Sequence, residues 1–534
     1  MSKFNTKVKT EVKIRSRKDA TVNFEDGLAF DMSAKTRLYS RVCTSMMGED
    51  KFYQTGSDHD NEMVKDIFVV SETDPEFVLR LASYVRNEMY LRSVSIMMLA
   101  EASRIVNCKP FIKKWAPSII KRADELTEVV SYYMNKYKKP FPNSLKKGIN
   151  DAMKNFDEYQ FDKYDRKGEF SFRDVIRLTH PIPENSKQED LYRYLVGRDP
   201  KNIFENLPMI DAKNKLTQKK KFDEESKDLA KKAHATWEVL VSQFGNKKEV
   251  WETVIPSLGY MAVLRNLRNF IEKEVDLKPV ISILTNEKAV LRSKQFPFRF
   301  FSAYKQVEKI TSRYTSKVLT AISDALDISC KNIPRMEGVT LICADNSGSM
   351  DLRLSEKSDI TYENIANLLG CIANRCCEDS IFMIFGEDVK VKNMNLRDSV
   401  LTNVSKIENG EVGHNTNGYK CIQYLLDNRI KVDRVILISD MQLYSSSSSS
   451  SSGYYNRHGG ETFINLLMKY RNTINPKVYC YSVDLSGYGT LQVPEDDPRS
   501  CLIAGWNEKF LKYIKIFEQD KKSVIDSISI LEPK

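Results

Sequence analysis

From about Asn23 onward, apolar side chains recur at intervals of three and four residues, as in Leu258, Met261, Ala262, Leu264 and Leu267. That spacing lines one face of a helix. It predicts helices over residues 75–90, 91–107, 110–136, 143–157, 227–244, 247–255, 257–273 and 302–330. Pro75, Pro110 and Pro256 stand at helix starts, where a missing N–H does no harm, and Asp74 is a fitting N-cap. Helix pairs of this kind stack into solenoids, so an α-helical repeat domain is expected. Near residues 331–338 (KNIPRMEG) the pattern changes. Uniformly apolar runs at 339–344, 380–385, 434–439, 477–483 and 501–504 then alternate with amphipathic helices at 361–375, 418–428, 460–471 and 507–518. Strands without polar alternation, separated by helices, imply a parallel sheet covered on both faces, a doubly wound α/β domain. The expected division is a basic arm over 1–22, a helical-repeat domain over 23–335 and the α/β domain over 336–534.

Charge refines this division. The chain carries a net charge of +10. Residues 336–534 hold 22 Lys+Arg against 26 Asp+Glu, whereas residues 1–335 hold 60 against 46, so the whole basic excess precedes the α/β part. A polyanion fits that excess, nucleic acid ahead of an anionic membrane; a merely solvated surface is the competing reading. No 18-residue apolar window exists, and the first residues are charged without an apolar core, so neither a membrane span nor a secretory signal is expected. Ten cysteines without a CxxC pair read as reduced thiols of a cytoplasmic protein. Eight serines, Ser445 to Ser452, form a low-complexity insert after a strand end.

Two stretches carry chemistry. The first strand of the α/β part ends in Asp345, followed by Ser347 and Ser349 in a Gly-bearing loop. Thr416 lies in GHNTNG before a helix, and Asp440 ends the run VILIS. In doubly wound sheets, sites form at the carboxyl ends of the strands. Two carboxylates and three hydroxyls are hard oxygen donors suited to Mg²⁺ or another divalent cation. The second stretch, residues 162–183 (DKYDRKGEFSFRDVIRLTHPIP), crowds Lys163, Arg166, Lys167, Arg173, Arg177 and His180 among Tyr164, Phe170 and Phe172. Arg173 and Arg177 are i,i+4 neighbours on one helix face. Cations contact phosphates, while aromatic rings and His stack on bases or fill the core; Phe172 reads as core.

Both stretches carry a family resemblance. The set Asp345, Ser347, Ser349, Thr416 and Asp440 resembles the metal-ion-dependent adhesion site of von Willebrand factor type A domains. Many members have an acidic residue after the threonine; here it is Asn417, which implies weaker metal binding. The earlier part resembles the TROVE domain of the Ro autoantigen family. The resemblance runs through NFEDGLAFDMSAKTRLYSRVCTSMMGEDKFY, YVRNEMYLRS, NSLKKGI, the 162–183 stretch, NKKEVWETVIPSLGYMAVLRNLRNF and SKQFPFRFFSAY. It implies a ring of HEAT-like helical repeats closed by an A domain. Small structured Y RNAs would bind its basic outer surface, and single-stranded 3′ ends of misfolded noncoding RNA its central hole. Matched position by position, Y RNA contacts fall to Lys163, Lys167 and His180, with Arg166 sharing the second role. An exoribonuclease or another protein could meet the metal site.

The expected function is thus a non-enzymatic Ro-type RNA-binding protein of RNA quality control. The alternative is a metal-dependent protein-adhesion scaffold acting through the A-domain site. A nuclease would need a carboxylate cluster or a His pair that the basic part does not offer.

Overall fold

The structure is a computed structural model that describes residues 17–533 apart from 139, 166–167, 332, 396, 409 and 447–460. Residues 1–16 of the basic arm, Arg166 and Lys167, and the serine run from Ser447 on therefore lie outside the described residues. The chain forms two compact units, and they are not consecutive halves. One gathers the described residues up to Asp66 with Gln295–Ser302 and Leu326–Ser529; the other holds Ile67–Lys294, Ala303–Ala325 and the described residues from Ile530 on. The expected boundary at residue 335 thus differs from the compact units, because pairing of the N-terminal stretch with the α/β part leaves no local mark in the sequence.

Among the described residues the first unit is built on nine strands: β1 (Ala20–Val22), β2 (Leu28–Asp31), β3 (Met336–Asp345), β4 (Cys377–Phe385), β5 (Val389–Lys392), β6 (Arg434–Ser439), β7 (Tyr479–Asp484), β8 (Thr490–Leu491) and β9 (Ser500–Ala504). Six form one sheet in the order β5-β4-β3-β6-β7-β9, all parallel except the edge strand β5. Alternate residues feed two cores. Leu341, Cys343, Leu437 and Cys480 pack with the helices Tyr419–Asp427 and Phe463–Thr473. On the other face, Gly370 of helix Tyr362–Cys376 comes so close that a Cβ there would sit 2.7 Å from the Phe382 ring. The chain leaves β3 toward β4 on one side and returns to β6 on the other. The strand order therefore reverses between β3 and β6, and a crevice opens at their carboxyl ends. β1, β2 and β8 form a small antiparallel sheet that the helical periodicity from Asn23 concealed, and Phe30 and Leu491 extend the main core from it.

The second unit is helical. Pro75 and Pro110 occupy first-turn positions, and the Asp74 carboxylate accepts the Phe77 amide as N-cap. Alternate long helices pack on one another: Pro75–Asn87 on Lys109–Ile119, Ser93–Ala102 on Asp124–Tyr137, and Lys109–Ile119 on Asn143–Met153. Gly148 permits the close crossing of two of these, since a Cβ there would lie 2.7 Å from that of Ala116. Several expected long helices are pairs. Residues 110–136 break at the extended Ile120, and 227–244 break between Lys232 and Trp237. Among the described residues no helix is long and apolar enough to cross a membrane. All ten cysteines are free thiols, nine of them buried.

Candidate functional site

The crevice between β3 and β6 gathers Asp345, Ser347, Ser349 and Asp440, and the backbone of the loop that carries Thr416 is hydrogen-bonded to the segments on either side. Asp345 is fully buried at the end of β3; its Oδ1 accepts the Ser347 amide at 3.0 Å and its Oδ2 accepts the Ser439 hydroxyl at 2.5 Å. These bonds aim the carboxylate along the loop that follows. The Ser347 and Ser349 hydroxyls stand 3.4 Å apart. The loop is tied to its neighbour by the Gly348 amide, which donates to the His414 carbonyl at 2.9 Å, next to Thr416. Asp440 follows β6, also buried, with its Oδ1 accepting the Gln442 amide at 3.1 Å and Ser349 within hydrogen-bonding reach. Met441 takes a left-handed φ of 62°, a conformation rare for a side chain of its size and a mark of local constraint beside the site.

Burial pushes the Asp345 carboxyl up, and burial together with the charge of Asp345 pushes Asp440 up further. Two adjacent buried carboxylates cost free energy unless a proton or a cation neutralises them. Among the described residues no group of three or more His, Cys, Asp or Glu side chains could hold a metal ion. A metal here would depend on two carboxylates plus hydroxyls, and that donor set fits a hard divalent cation. Asn417 is buried; its Nδ2 donates to the Glu387 carbonyl at 2.8 Å while its Oδ1 has no partner. A neutral amide oxygen thus stands where an acidic residue would have added charge.

Three features escaped the sequence reading. Asp484 ends β7 as Asp345 ends β3; it is buried, and it accepts the Ser40 hydroxyl at 2.5 Å and the Ser486 and Gly487 amides at 2.9 Å. The recurrence of a strand-terminal Asp was the signal available for it. Beside it, buried Lys51 donates to the Thr44 carbonyl at 3.1 Å and to the Ser486 carbonyl, and its Nζ lies 3.0 Å from His59 Nε2. Burial lowers the Lys51 ammonium to about 7. Tyr53 brings its hydroxyl to the same edge, donating to Glu25.

The basic stretch lies in the helical unit. Ser171 caps the helix Phe172–Thr179 in a reciprocal box with Asp174. Phe172, Val175 and Thr179 are buried, and the Phe172 ring meets Phe161 of helix Glu158–Tyr164 edge-on at 5.0 Å. Arg173 and Arg177 are exposed on the other face, and exposed His180 ends the helix at φ 51°. None of the three is held in an ion pair among the described residues. Lys163 is half-buried, its Nζ 3.1 Å from the Tyr159 hydroxyl and over the Tyr159 and Tyr164 rings at 5.1 and 5.5 Å. The structure therefore joins Arg173, Arg177 and His180 on one helix and holds Lys163 against aromatic rings on the neighbouring one.

A family model described as the TROVE domain matches residues 5–235 and 230–368. The chain belongs to the TROVE-domain family. The TROVE match covers the basic stretch and runs on into the α/β unit through β3. The chain is similar to telomerase protein component 1 of Rattus norvegicus, 23% identical over 346 residues, which is 53% of this chain and 13% of that protein. With the Mus musculus protein of the same name it is 26% identical over 310 residues, 46% of this chain and 12% of that one. This TROVE chain thus spans a small part of the length of those relatives. Its fold matches the crystal structure of the Ro (Rsr) protein of Deinococcus radiodurans with a TM-score of 0.65 at 17% identity, over 92% of this chain and all of that one.

Proposed function

We propose that this TROVE-family chain is a non-enzymatic RNA-binding protein of Ro type. It would take small structured, Y-like RNAs through the basic stretch that holds Lys163, Arg166, Lys167, Arg173, Arg177 and His180, and misfolded noncoding RNA by its single-stranded 3′ end. This is the work of RNA quality control in the cytoplasm. The observation that carries the reading is the exposed row Arg173–Arg177–His180 on a helix inside the matched family segment, held in no ion pair among the described residues. Free cations of this sort contact phosphates, and each contact adds to the salt dependence of binding. Gel-shift titration of a structured small RNA tests it. Arg173→Gln with Arg177→Gln should weaken binding and lower the salt slope by about 2. Unchanged affinity at fixed salt removes the assignment.

A second reading concerns the α/β unit, taken as a von Willebrand A-type domain. The two buried carboxylates at one crevice favour it. Asp345, Ser347, Ser349, Thr416 and Asp440 would hold Mg²⁺ or a similar cation, which when bound supplies a Lewis-acidic position for a partner's carboxylate. Asp345 is oriented by the Ser439 hydroxyl, and Asp440 by the Gln442 amide. The partner would be an exoribonuclease or another protein. Pull-down of a carboxylate-bearing partner that survives chelation would count against this reading.

A further inference from the structure

Among the described residues β9 is an edge of the main sheet, paired with β7 alone, and a cavity of about 550 Å³ opens along its first half. That volume lies within the roughly 300–1,000 Å³ of small-molecule sites. Its walls come mainly from residues 493–499 between β8 and β9, from the helix Phe510–Asp520, and from the turn into the helix Val524–Ser529. Doubly wound sheets bind at the carboxyl ends of their strands, where Asp345 and Asp440 stand. This cavity instead touches Ser500, Cys501 and Leu502, toward the amino end of β9. Leu491, Val493, Leu502, Phe517 and Ile525 give it apolar sides, and Leu502 and Ile525 are only half-buried.

Four carboxylates stand on the wall, and each is engaged. Glu495 accepts the Ser33 amide at 2.7 Å, the Ser33 hydroxyl at 2.9 Å and the Thr36 hydroxyl at 2.5 Å. Asp496 pairs with Arg17 at 2.7 Å, Asp497 with Arg471 at 2.8 Å, and Asp526 accepts the Ser523 amide and hydroxyl at 2.8 Å each. The cations Arg499 and Lys521 on the same wall are held differently. Arg499 donates to the Lys477 carbonyl at 3.1 Å and Lys521 to the Tyr479 hydroxyl, and neither meets a carboxylate among the described residues. Both stand over the Tyr479 ring, at 5.2 and 4.2 Å from its centroid, and Phe517 meets that ring edge-on at 6.3 Å. Two like charges on one ring lie no farther apart than about the 10 Å screening length of 0.1 M salt, so they repel, and an anion in the cavity relieves the repulsion.

We propose that this cavity binds a small organic anion, an apolar body bearing one phosphate or carboxylate group. Arg499 and Lys521 make charge-assisted hydrogen bonds to the anionic group. The body lies against Leu502, Phe517 and Ile525 and takes their exposed area out of water. Tyr479 is a positioning residue that keeps the two cations together. A nucleoside monophosphate and a medium-chain carboxylic acid share this chemistry. The site depends on neither the RNA-contacting helix nor the crevice of Asp345 and Asp440.

Calorimetric titration of the full chain with adenosine 5′-monophosphate and with sodium octanoate tests this, beside adenosine and octanol as their uncharged counterparts. At least one anion should bind at a single site, roughly tenfold or more tighter than its counterpart. The tighter of the two names the source, a nucleotide or a fatty carboxylate. Arg499→Gln with Lys521→Gln alters a half-buried and an exposed side chain, so the fold survives, and affinity should fall by roughly tenfold. Ile525→Trp, which fills the cavity, should abolish binding. Equal affinity of the wild type and the double variant overturns the proposal, as does equal affinity for an anion and its uncharged counterpart. Binding of neither anion overturns it too, and so does binding that Ile525→Trp leaves unchanged.

Discussion

Asp440→Asn separates the electrostatic cost of the crevice from its use. The substitution keeps the shape of the side chain and leaves Oδ1 able to accept the Gln442 amide, but it removes one of two buried like charges. Carboxylates at the few-ångström separation of neighbouring ligands repel by about 3 kcal/mol at an effective dielectric of about 20. Protonation already relieves part of this, as the upward displacement of Asp440 by burial and by Asp345 indicates. Metal-free Asp440→Asn should therefore be more stable than metal-free wild type, by about 1–3 kcal/mol. Metal closes or reverses the gap. A cation at a hundred times its dissociation constant stabilises the wild type by about 2.7 kcal/mol, or about 5–10 °C in midpoint for a unit of this size. The assay is thermal unfolding of both proteins in chelator and in excess Mg²⁺. An equal Mg²⁺-induced rise in both would refute the assignment of Asp440 as a ligand, and a lower metal-free midpoint in the variant would refute the charge argument.

Further outcomes are accessible with the same material. Arg173→Gln with Arg177→Gln should lower RNA affinity mainly at low salt, because exposed cations act through phosphate neutralisation; equal losses at low and high salt would point to misfolding instead. Lys51 titrates near 7 in the fold against about 10.4 when unfolded, so across that window the unfolded chain binds more protons and stability rises with pH. The contribution is of order 4 kcal/mol, and Lys51→Met should remove it from the pH profile of denaturant unfolding; a profile of unchanged slope between pH 7 and 10 would contradict the burial of a strained ammonium. Gly148→Val should cost about 1–3 kcal/mol by forcing apart the helices that cross at Ala116, measured by urea unfolding followed by circular dichroism; a neutral result would mean the crossing yields freely.

Regular elements with long, self-consistent patterns were legible in the sequence. β6 begins and ends where its apolar run does, at Arg434 and Ser439, because a strand buried on both faces carries its environment in its own composition. The carboxyl-end position of Asp345 and Asp440 followed from the same logic. Helix interruptions were less legible. Residues 302–330 keep an apolar period across a break between Glu308 and Thr315, since the helices on either side pack into related environments. The small sheet could not be read at all. β1 and β8 are three and two residues long, too short for alternation to register, and their pairing is decided by partners elsewhere in the chain. The link from Glu25 through Tyr53 to Ser349 was invisible for the same reason: Glu25 and Tyr53 lie 28 residues apart, and Ser349 is farther still.

The pairing of β2 with β8 sets Asp31 opposite Thr490, so the α/β unit is sewn shut by two ends of the chain with the helical unit's sequence strung between them. Joining strands so distant carries a loop-closure cost of about 5 kcal/mol, which the packing of Phe30 and Leu491 into the main core must repay. On a ribosome, β2 is made early and can pair with β1 at once, but its second partner is missing until β8 emerges. A chain interrupted before β8 would thus carry a β2 with one unpaired edge, a ready template for a strand of another molecule.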